Sequence, residues 1–294
     1  MTINRQVLVG LIGGNIMKSL SPALHIDALA AAGFDGFYHL MDVDQLPGRS
    51  LQQLLDAART AGFAGTNVTF PFKQEVMALL DDVDAEAKQI GAVNTVTFGA
   101  DGTMTGYNTD RRGFRLSFEE GLGKAAADGK DVVQVGAGGA GRAVAFALMD
   151  LGVKKLVLHD RDANQAQTLK ADLAAYYDAA RCVISSDLAA EVVAADGVVN
   201  CTPVGMHGIP GNPVPAELQK GQWAADVIYS PIETAFIKSA MAKGCRVLTG
   251  GGMCVHQAAE AFRLFTGLQP DTARMHRTFA EALARRDAGM KEAV

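Results

Sequence analysis

An α/β fold is predicted for this chain, built around a parallel, doubly wound sheet and divided into two domains. Three observations predict it. Short apolar strand patterns alternate with helix patterns along most of the length, the signature of parallel sheets covered by helices. One of those strands runs into the glycine-rich turn Gly136-Ala137-Gly138-Gly139-Ala140-Gly141, which opens a helix. The 294 residues, 49% of them hydrophobic, suffice for two ordinary cores.

The elements follow in order. Val7 to Ile12 is a near-continuous apolar run, as expected of a strand buried on both faces. Ser21-Pro22 opens the first helix, with Ser suited to the cap and Pro to the first turn; the helix stops at Gly33. Phe37 to Met41 reads as a second strand, Leu51 to Ala61 as a helix, and Gly65 to Thr69 as a third strand. Pro71 is expected to start a helix through Leu80. Val93 to Phe98 and Thr103 to Tyr107 form a hairpin around Ala100-Asp101-Gly102. A boundary is placed near Gly121, so that residues 1–121, completed by 254–294, form one domain and 122–253 the other. Asp131 to Val135, Leu156 to Asp160, Gly197 to Asn200, Ala224 to Ile228 and Arg246 to Leu248 are the strands of the second domain. Val255 to Phe265 and Asp271 to Arg286 carry apolar residues at helical spacing.

Composition excludes several classes. The formal charge is −5, from 27 basic and 32 acidic residues, and no basic cluster suggests nucleic-acid binding. No apolar run approaches the ~18 residues of a membrane helix, and no N-terminal targeting pattern precedes the first strand. The four cysteines, Cys182, Cys201, Cys245 and Cys254, have neither zinc-ligand nor disulfide-framework spacing. A cytoplasmic protein without a metal site is expected, acting on a small molecule as a monomer or homodimer.

The glycine-rich turn has a physical purpose. Gly136 allows a tight turn, Gly138 a close approach of backbone to a pyrophosphate, and Gly141 close packing of helix on strand. The N–H groups of Ala137, Gly139 and Ala140 and the helix start then face the phosphates. Asp160 ends the next strand, 24 positions beyond Gly136, near the spacing of about 20 expected of a dinucleotide fold. A carboxylate there accepts bonds from both ribose hydroxyls of NAD and repels a 2′-phosphate. NADP stays possible through Arg161, whose guanidinium could pair with that phosphate. Methyltransferases that use S-adenosylmethionine also place an acid after such a turn, so the turn alone leaves both cofactor classes open.

Four polar signatures precede it. Ser19-Leu20-Ser21-Pro22 sets two hydroxyls two positions apart. Asn67-Val68-Thr69-Phe70-Pro71-Phe72-Lys73 sets an amide, a hydroxyl and an amine at a strand end. Gly91-Ala92-Val93-Asn94-Thr95 and Gly106-Tyr107-Asn108-Thr109-Asp110 add an amide and a carboxylate. Singly, each has a plain structural use: Ser21 and Asp110 as helix caps, Lys73 as a solvated lysine, Asn94 as a turn residue. Together, ahead of a dinucleotide motif, they favour a site for a polyhydroxylated, anionic molecule.

In these motifs, and in Asn200 to Met206 and Gly252 to Ala258, the chain resembles the shikimate dehydrogenase family over nearly its whole length, most closely the NAD-preferring quinate/shikimate branch. The resemblance implies an N-terminal substrate domain, a Rossmann domain, and C-terminal helices that return to the first. It implies hydride transfer between NAD and the C3 position of shikimate or quinate, with Lys73 and Asp110 as the catalytic pair. Ser19 and Ser21 would bind the substrate carboxylate, and Thr69, Asn94 and Gln257 its ring hydroxyls, with Asn67 and Tyr229 nearby. Thr202, Val204, Met206, Val227 and Gly251 would join the glycine turn, Asp160 and Arg161 at the cofactor. The chain departs from the pattern at His159-Asp160-Arg161, where biosynthetic members carry Asn-Arg-Ser/Thr for the NADP phosphate. It departs again at Gly250-Gly251-Gly252, where an Asp-Gly is common. A dehydrogenase of an amino-shikimate or another ring polyol, an NADP-linked shikimate dehydrogenase, and a non-catalytic NAD-binding protein stay open as alternatives. His25, one turn into the first helix, is read as structural.

Overall fold

The computed structural model describes residues 5–292. The chain forms two compact units, one of residues up to Thr109 together with those from Val255 onward, the other of Asp110–Cys254.

The first unit is built on β1 (Arg5–Gly13), α1 (Ser21–Ala31), β2 (Phe34–Asp42), α2 (Leu51–Thr60), β3 (Gly65–Val68), β4 (Asp82–Val83), α3 (Ala85–Ile90), β5 (Thr95–Phe98) and β6 (Met104–Tyr107). Its six-stranded sheet has the order β2-β1-β3-β5-β6-β4. β1 lies parallel to both β2 and β3, which explains the unbroken apolar run at its centre. β5 and β6 form the antiparallel hairpin, so this sheet is mixed rather than purely parallel. Ser50 caps α2 in a reciprocal capping box with Gln53. Leu51, Leu54, Leu55 and Ala58 then bury one face of α2 against Ile12, Val68 and Val96. Fully burying one such leucine contributes about 1.5–3 kcal/mol.

Two local expectations are corrected here. Ser21 does not cap α1. The cap position is Leu20, without a side-chain cap bond, and the Ser21 hydroxyl pairs with Ser19 instead. The stretch after Pro71 forms turns and a short 3-10 helix, Glu75–Leu79, not an α-helix. The Lys73 carbonyl, which an α-helix would keep for itself, accepts the Val93 N–H at 2.7 Å.

The second unit comprises α4 (Asp110–Gly121), β7 (Asp131–Val135), α5 (Gly139–Asp150), β8 (Lys155–His159), α6 (Ala163–Ala174), β9 (Cys182–Ile184), α7 (Leu188–Ala194), β10 (Gly197–Asn200), β11 (Trp223–Asp226), α8 (Ala235–Ala242) and β12 (Arg246–Leu248). Its strands run in the order β12-β11-β10-β7-β8-β9, and every pair is parallel. This is the doubly wound dinucleotide-binding order, with its reversal between β7 and β10.

The division between units falls at Thr109/Asp110, twelve residues before the Gly121 boundary read from the sequence. α4 belongs to the second unit because its apolar face is buried there. Phe118 meets Trp223 edge-on at 5.0 Å between centroids, and Arg111 forms a bidentate pair with Asp150 on α5.

α9 (Gly250–Thr266) carries the chain across the other division, at Cys254/Val255, and α10 (Thr272–Glu292) follows. α9 begins earlier than its apolar spacing suggests, because it starts in three glycines. A Cβ on Gly250 would lie 2.3 Å from the Val227 carbonyl oxygen, and one on Gly252 would lie 2.3 Å from Ser117 Oγ. The C-terminal helices complete the first unit. Arg274 and Thr278 of α10 both bond Asp27 of α1, and Phe265 of α9 packs on His25. None of the helices described is long and apolar enough to cross a membrane.

His25 is a core residue, as read. It is buried and stacked on Tyr38 at 4.8 Å, and neither ring nitrogen has a hydrogen-bond partner. Burial lowers its pKa from 6.5 to about 3. Between those values the unfolded chain binds the extra proton, so this stabilisation is complete above pH 6.5 and is lost as pH falls. His25→Phe is therefore expected to flatten the decline of Tm between pH 6.5 and 4, and an unchanged decline would remove His25 as a source of acid lability. A second prediction concerns Gly197, where an added Cβ would sit 1.9 Å from the Trp223 ring. The indole is pinned by its N–H bond to the Ala126 carbonyl at 2.8 Å. Gly197→Ala is expected to lower stability by about 1–3 kcal/mol, read from the urea midpoint; an equal midpoint would show that the ring moves aside at no cost.

Candidate active site

In the first unit, polar side chains gather where β3 ends, β5 begins and β6 ends. Asn67 on β3 faces Thr95 on β5 across the antiparallel pair. Its Oδ1 accepts the Tyr38 hydroxyl at 2.9 Å, and its Nδ2 donates to Thr95 Oγ1 at 3.0 Å. Asn94 is buried beside it. Its Oδ1 accepts the Thr109 N–H at 2.9 Å, and its Nδ2 donates to Thr109 Oγ1 at 2.9 Å. Gln257, from α9, brings its amide oxygen to 3.5 Å from the Thr109 hydroxyl. Asn67, Asn94 and Gln257 are thus brought into one network. Tyr38 and Thr109, which the sequence reading gave no role, fix the orientation of the two asparagine amides.

Ser19 and Ser21 sit after β1. The Ser19 hydroxyl donates to Ser21 Oγ at 3.1 Å and accepts the Ser21 N–H at 3.2 Å. The loop before them is held by buried Asp42 at the end of β2, whose two oxygens accept the N–H groups of Asn15 and Ile16. Thr69 follows β3 directly, with its N–H on the Ile12 carbonyl at 2.9 Å. Its methyl fills the space that a Cβ on Gly13 would need. Lys73 is half-buried, and its backbone is tied to Val93, the neighbour of Asn94. Asp110 is 4% exposed and opens α4 immediately after Thr109. Lys73 therefore belongs to the first unit and Asp110 to the second.

In the second unit the glycine turn is sterically constrained at Gly136 and Gly141. Gly136 has φ +105°, and a Cβ there would stand 2.8 Å from the Cys201 carbonyl carbon. A Cβ on Gly141 would stand 2.2 Å from the Gly136 carbonyl oxygen. Gly138 is the cap residue of α5 and supplies no side-chain cap, so the helix start presents backbone N–H groups to an anion. Ala137, Gly139 and Ala140 complete the turn. Gln134, buried within β7, donates from Nε2 to the carbonyls of both Gly136 and Gly141 at 2.8 Å. It was missed in the sequence, though a lone amide within Val132-Val133-Gln134-Val135 was the available signal.

Asp160 is not a solvated strand end. Its Oδ2 accepts the Ala137 N–H at 2.7 Å and its Oδ1 the Asp162 N–H at 2.9 Å, which lays the carboxylate against the turn. Arg161 beside it is exposed. Thr202, Val204 and Met206 lie half-buried on the loop after β10, and Val227 and Tyr229 on the loop after β11. Gly251 is buried in the first turn of α9. The adjacent Gly250 N–H reaches the Ile228 carbonyl at 3.2 Å.

Residues 11–96 match the family model described as the shikimate dehydrogenase substrate binding domain. Residues 250–278 match that of the shikimate 5′-dehydrogenase C-terminal domain. The chain is 48% identical to a quinate/shikimate dehydrogenase (NAD(+)) of Corynebacterium efficiens, over 93% of this chain and 97% of that one. It is 44% identical to a shikimate dehydrogenase (NADP(+)) of an Arthrobacter species, over 94% and 95% respectively. The solved quinate dehydrogenase of Corynebacterium glutamicum in complex with NAD superposes with a TM-score of 0.85 at 46% identity, over 95% of this chain and all of that one. By its folds, its motifs and these likenesses, the chain belongs to the shikimate dehydrogenase family.

Proposed function

We propose that this protein is an NAD-dependent dehydrogenase that interconverts shikimate, quinate or both with their 3-dehydro ketones. The observation that carries this reading is the Asp160 carboxylate lying against the glycine cradle, in a chain nearly half identical to a quinate/shikimate dehydrogenase (NAD(+)). The nicotinamide of NAD, when bound, supplies the acceptor for the hydride that leaves C3.

The chain's residues supply the rest. Lys73 takes the hydroxyl proton as the alcohol is oxidised, and Asp110 orients the amine and the hydroxyl. The Ser19 and Ser21 hydroxyls receive the substrate carboxylate. Thr69, Asn94 and Gln257 bind ring hydroxyls, with Asn67 and Tyr229 beside them. The backbone of Gly136 to Gly141 and the start of α5 hold the pyrophosphate, and Asp160 holds the ribose hydroxyls. Thr202, Val204, Met206, Val227 and Gly251 line the cofactor. With four free cysteines, we place the protein in the cytoplasm, as a monomer or homodimer.

A second reading, the same reaction linked to NADP, is favoured by exposed Arg161 beside Asp160 and by the likeness to a shikimate dehydrogenase (NADP(+)). A rate matrix of shikimate and quinate, each with NAD and NADP, separates the two through nicotinamide absorbance. Turnover with NAD is expected; turnover with NADP alone would favour the second. No turnover from protein that still binds NAD would point to a different ring polyol.

Lys73→Ala and Asp110→Ala are each expected to lower kcat by about 10²–10⁴-fold while leaving the circular dichroism spectrum intact. Near-parental rates in both would sink the assignment of the pair. Asp160→Ala should raise the KM for NAD by roughly tenfold, the equivalent of about 1.4 kcal/mol, and narrow the gap to NADP. A KM ratio that does not move would show that Asp160 serves only the turn.

A further inference from the structure

The loops that follow β10 and β11 carry Thr202, Val204, Met206, Val227 and Tyr229, yet they are tied to each other through a residue given no role so far. Asp226, the last residue of β11, is 2% exposed. Its Oδ1 accepts the Asn200 Nδ2 at 3.2 Å and the Ile228 N–H at 3.0 Å, and its Oδ2 accepts the Thr234 hydroxyl at 2.7 Å. Asn200 in turn uses Oδ1 to hold the N–H and the hydroxyl of Thr202, and uses Nδ2 to reach the Val204 carbonyl. Thr234 caps α8 by accepting the Ile237 N–H. Its side chain also backs Gly205, where a Cβ would come within 3.3 Å. One carboxylate therefore anchors the end of β10, the loop after β11 and the start of α8.

Resting on the dehydrogenase reading above, we propose that Asp226 is a positioning residue whose ionised carboxylate shapes the two cofactor-side loops, so that NAD is held tightly only while that carboxylate is charged. Three donors face it, from β10, from its own loop and from the α8 cap. A proton on Oδ1 would face two N–H donors and open at least one of their bonds, and a proton on Oδ2 would force the Thr234 hydroxyl to turn from donor to acceptor and lose its own hydrogen-bond acceptor. The titratable group that faces it is the Cys201 thiol, which burial and this carboxylate keep protonated. Burial outweighs the three hydrogen bonds and raises the Asp226 pKa to about 6. The charged form therefore gives way within a range where an ordinary aspartate stays ionised.

The test is NAD titration by calorimetry from pH 8 to pH 5 on the full chain, with Asp226→Asn and Thr234→Val alongside. In the parent, NAD affinity is expected to weaken as pH falls through about 6. Asp226→Asn should bind NAD about tenfold more weakly at pH 8, with a profile that no longer bends there. Thr234→Val, which keeps the carboxylate, should bind more weakly but retain the bend. A flat parental profile, or an Asp226→Asn profile that matches the parent, overturns the proposal. If Asp226→Asn does not fold, unchanged NAD affinity in Thr234→Val overturns it. A parent that binds no NAD at any pH overturns the dehydrogenase reading itself.

Discussion

The second unit depends on one close approach, that of the Gly136 backbone to the backbone at Cys201 and Thr202. β7 and β10 are neighbours in the sheet, but their connections leave toward opposite sides. A side chain at position 136 would have to stand where the Cys201 carbonyl already is. Without one, the turn folds tightly over the strand end, and α5 starts at Gly139 with no side chain capping its first N–H groups. Gln134 ties the arrangement together by donating to the carbonyls of Gly136 in the turn and Gly141 in the first turn of α5.

The same economy governs the polar residues of the first unit. Asn67 and Asn94 do not stand alone in apolar surroundings; their amides bond to Tyr38, Thr95 and Thr109, each of them buried. Leaving such a group unpaired would cost about 1–3 kcal/mol, so each bond both preserves the fold and fixes the direction of the amide. Under the proposed function, a substrate polyol would meet groups whose orientation is set before it arrives, which lowers the entropy lost on binding. Ser19 and Ser21 follow the same rule: Asp42 holds the loop before them, and the helix cap that Ser21 might have formed is given up.

Much of this was legible in the sequence because it rests on local chemistry. The unbroken apolar run at Val7 to Ile12, the glycines of the turn, and the hairpin around Asp101-Gly102 each depend on a few consecutive residues. What escaped depends on partners far along the chain. The helix expected after Pro71 fails because the Lys73 carbonyl is claimed by Val93, twenty residues away. The boundary moved from Gly121 because Phe118 finds Trp223, over a hundred residues later. Asp226 received no role inside the expected strand Ala224 to Ile228, since nothing nearby in sequence shows that Asn200 and Thr234 converge on it.

The proposed preference for NAD rests on how Asp160 is held as much as on its charge. An exposed aspartate could swing away from a 2′-phosphate or find a counter-ion. This one has each oxygen fixed by a backbone N–H, from Ala137 of the turn and from Asp162. Two bonds still leave acceptor capacity on the carboxylate for a ribose diol. They leave it little freedom to retreat from a phosphate. Two charges about 4 Å apart at a partly buried site interact by roughly 4 kcal/mol at an effective dielectric near 20. Arg161 could offset this only by folding its exposed side chain back over the strand end, at a cost in rotamer entropy of up to about 2 kcal/mol. The balance favours the cofactor without the phosphate.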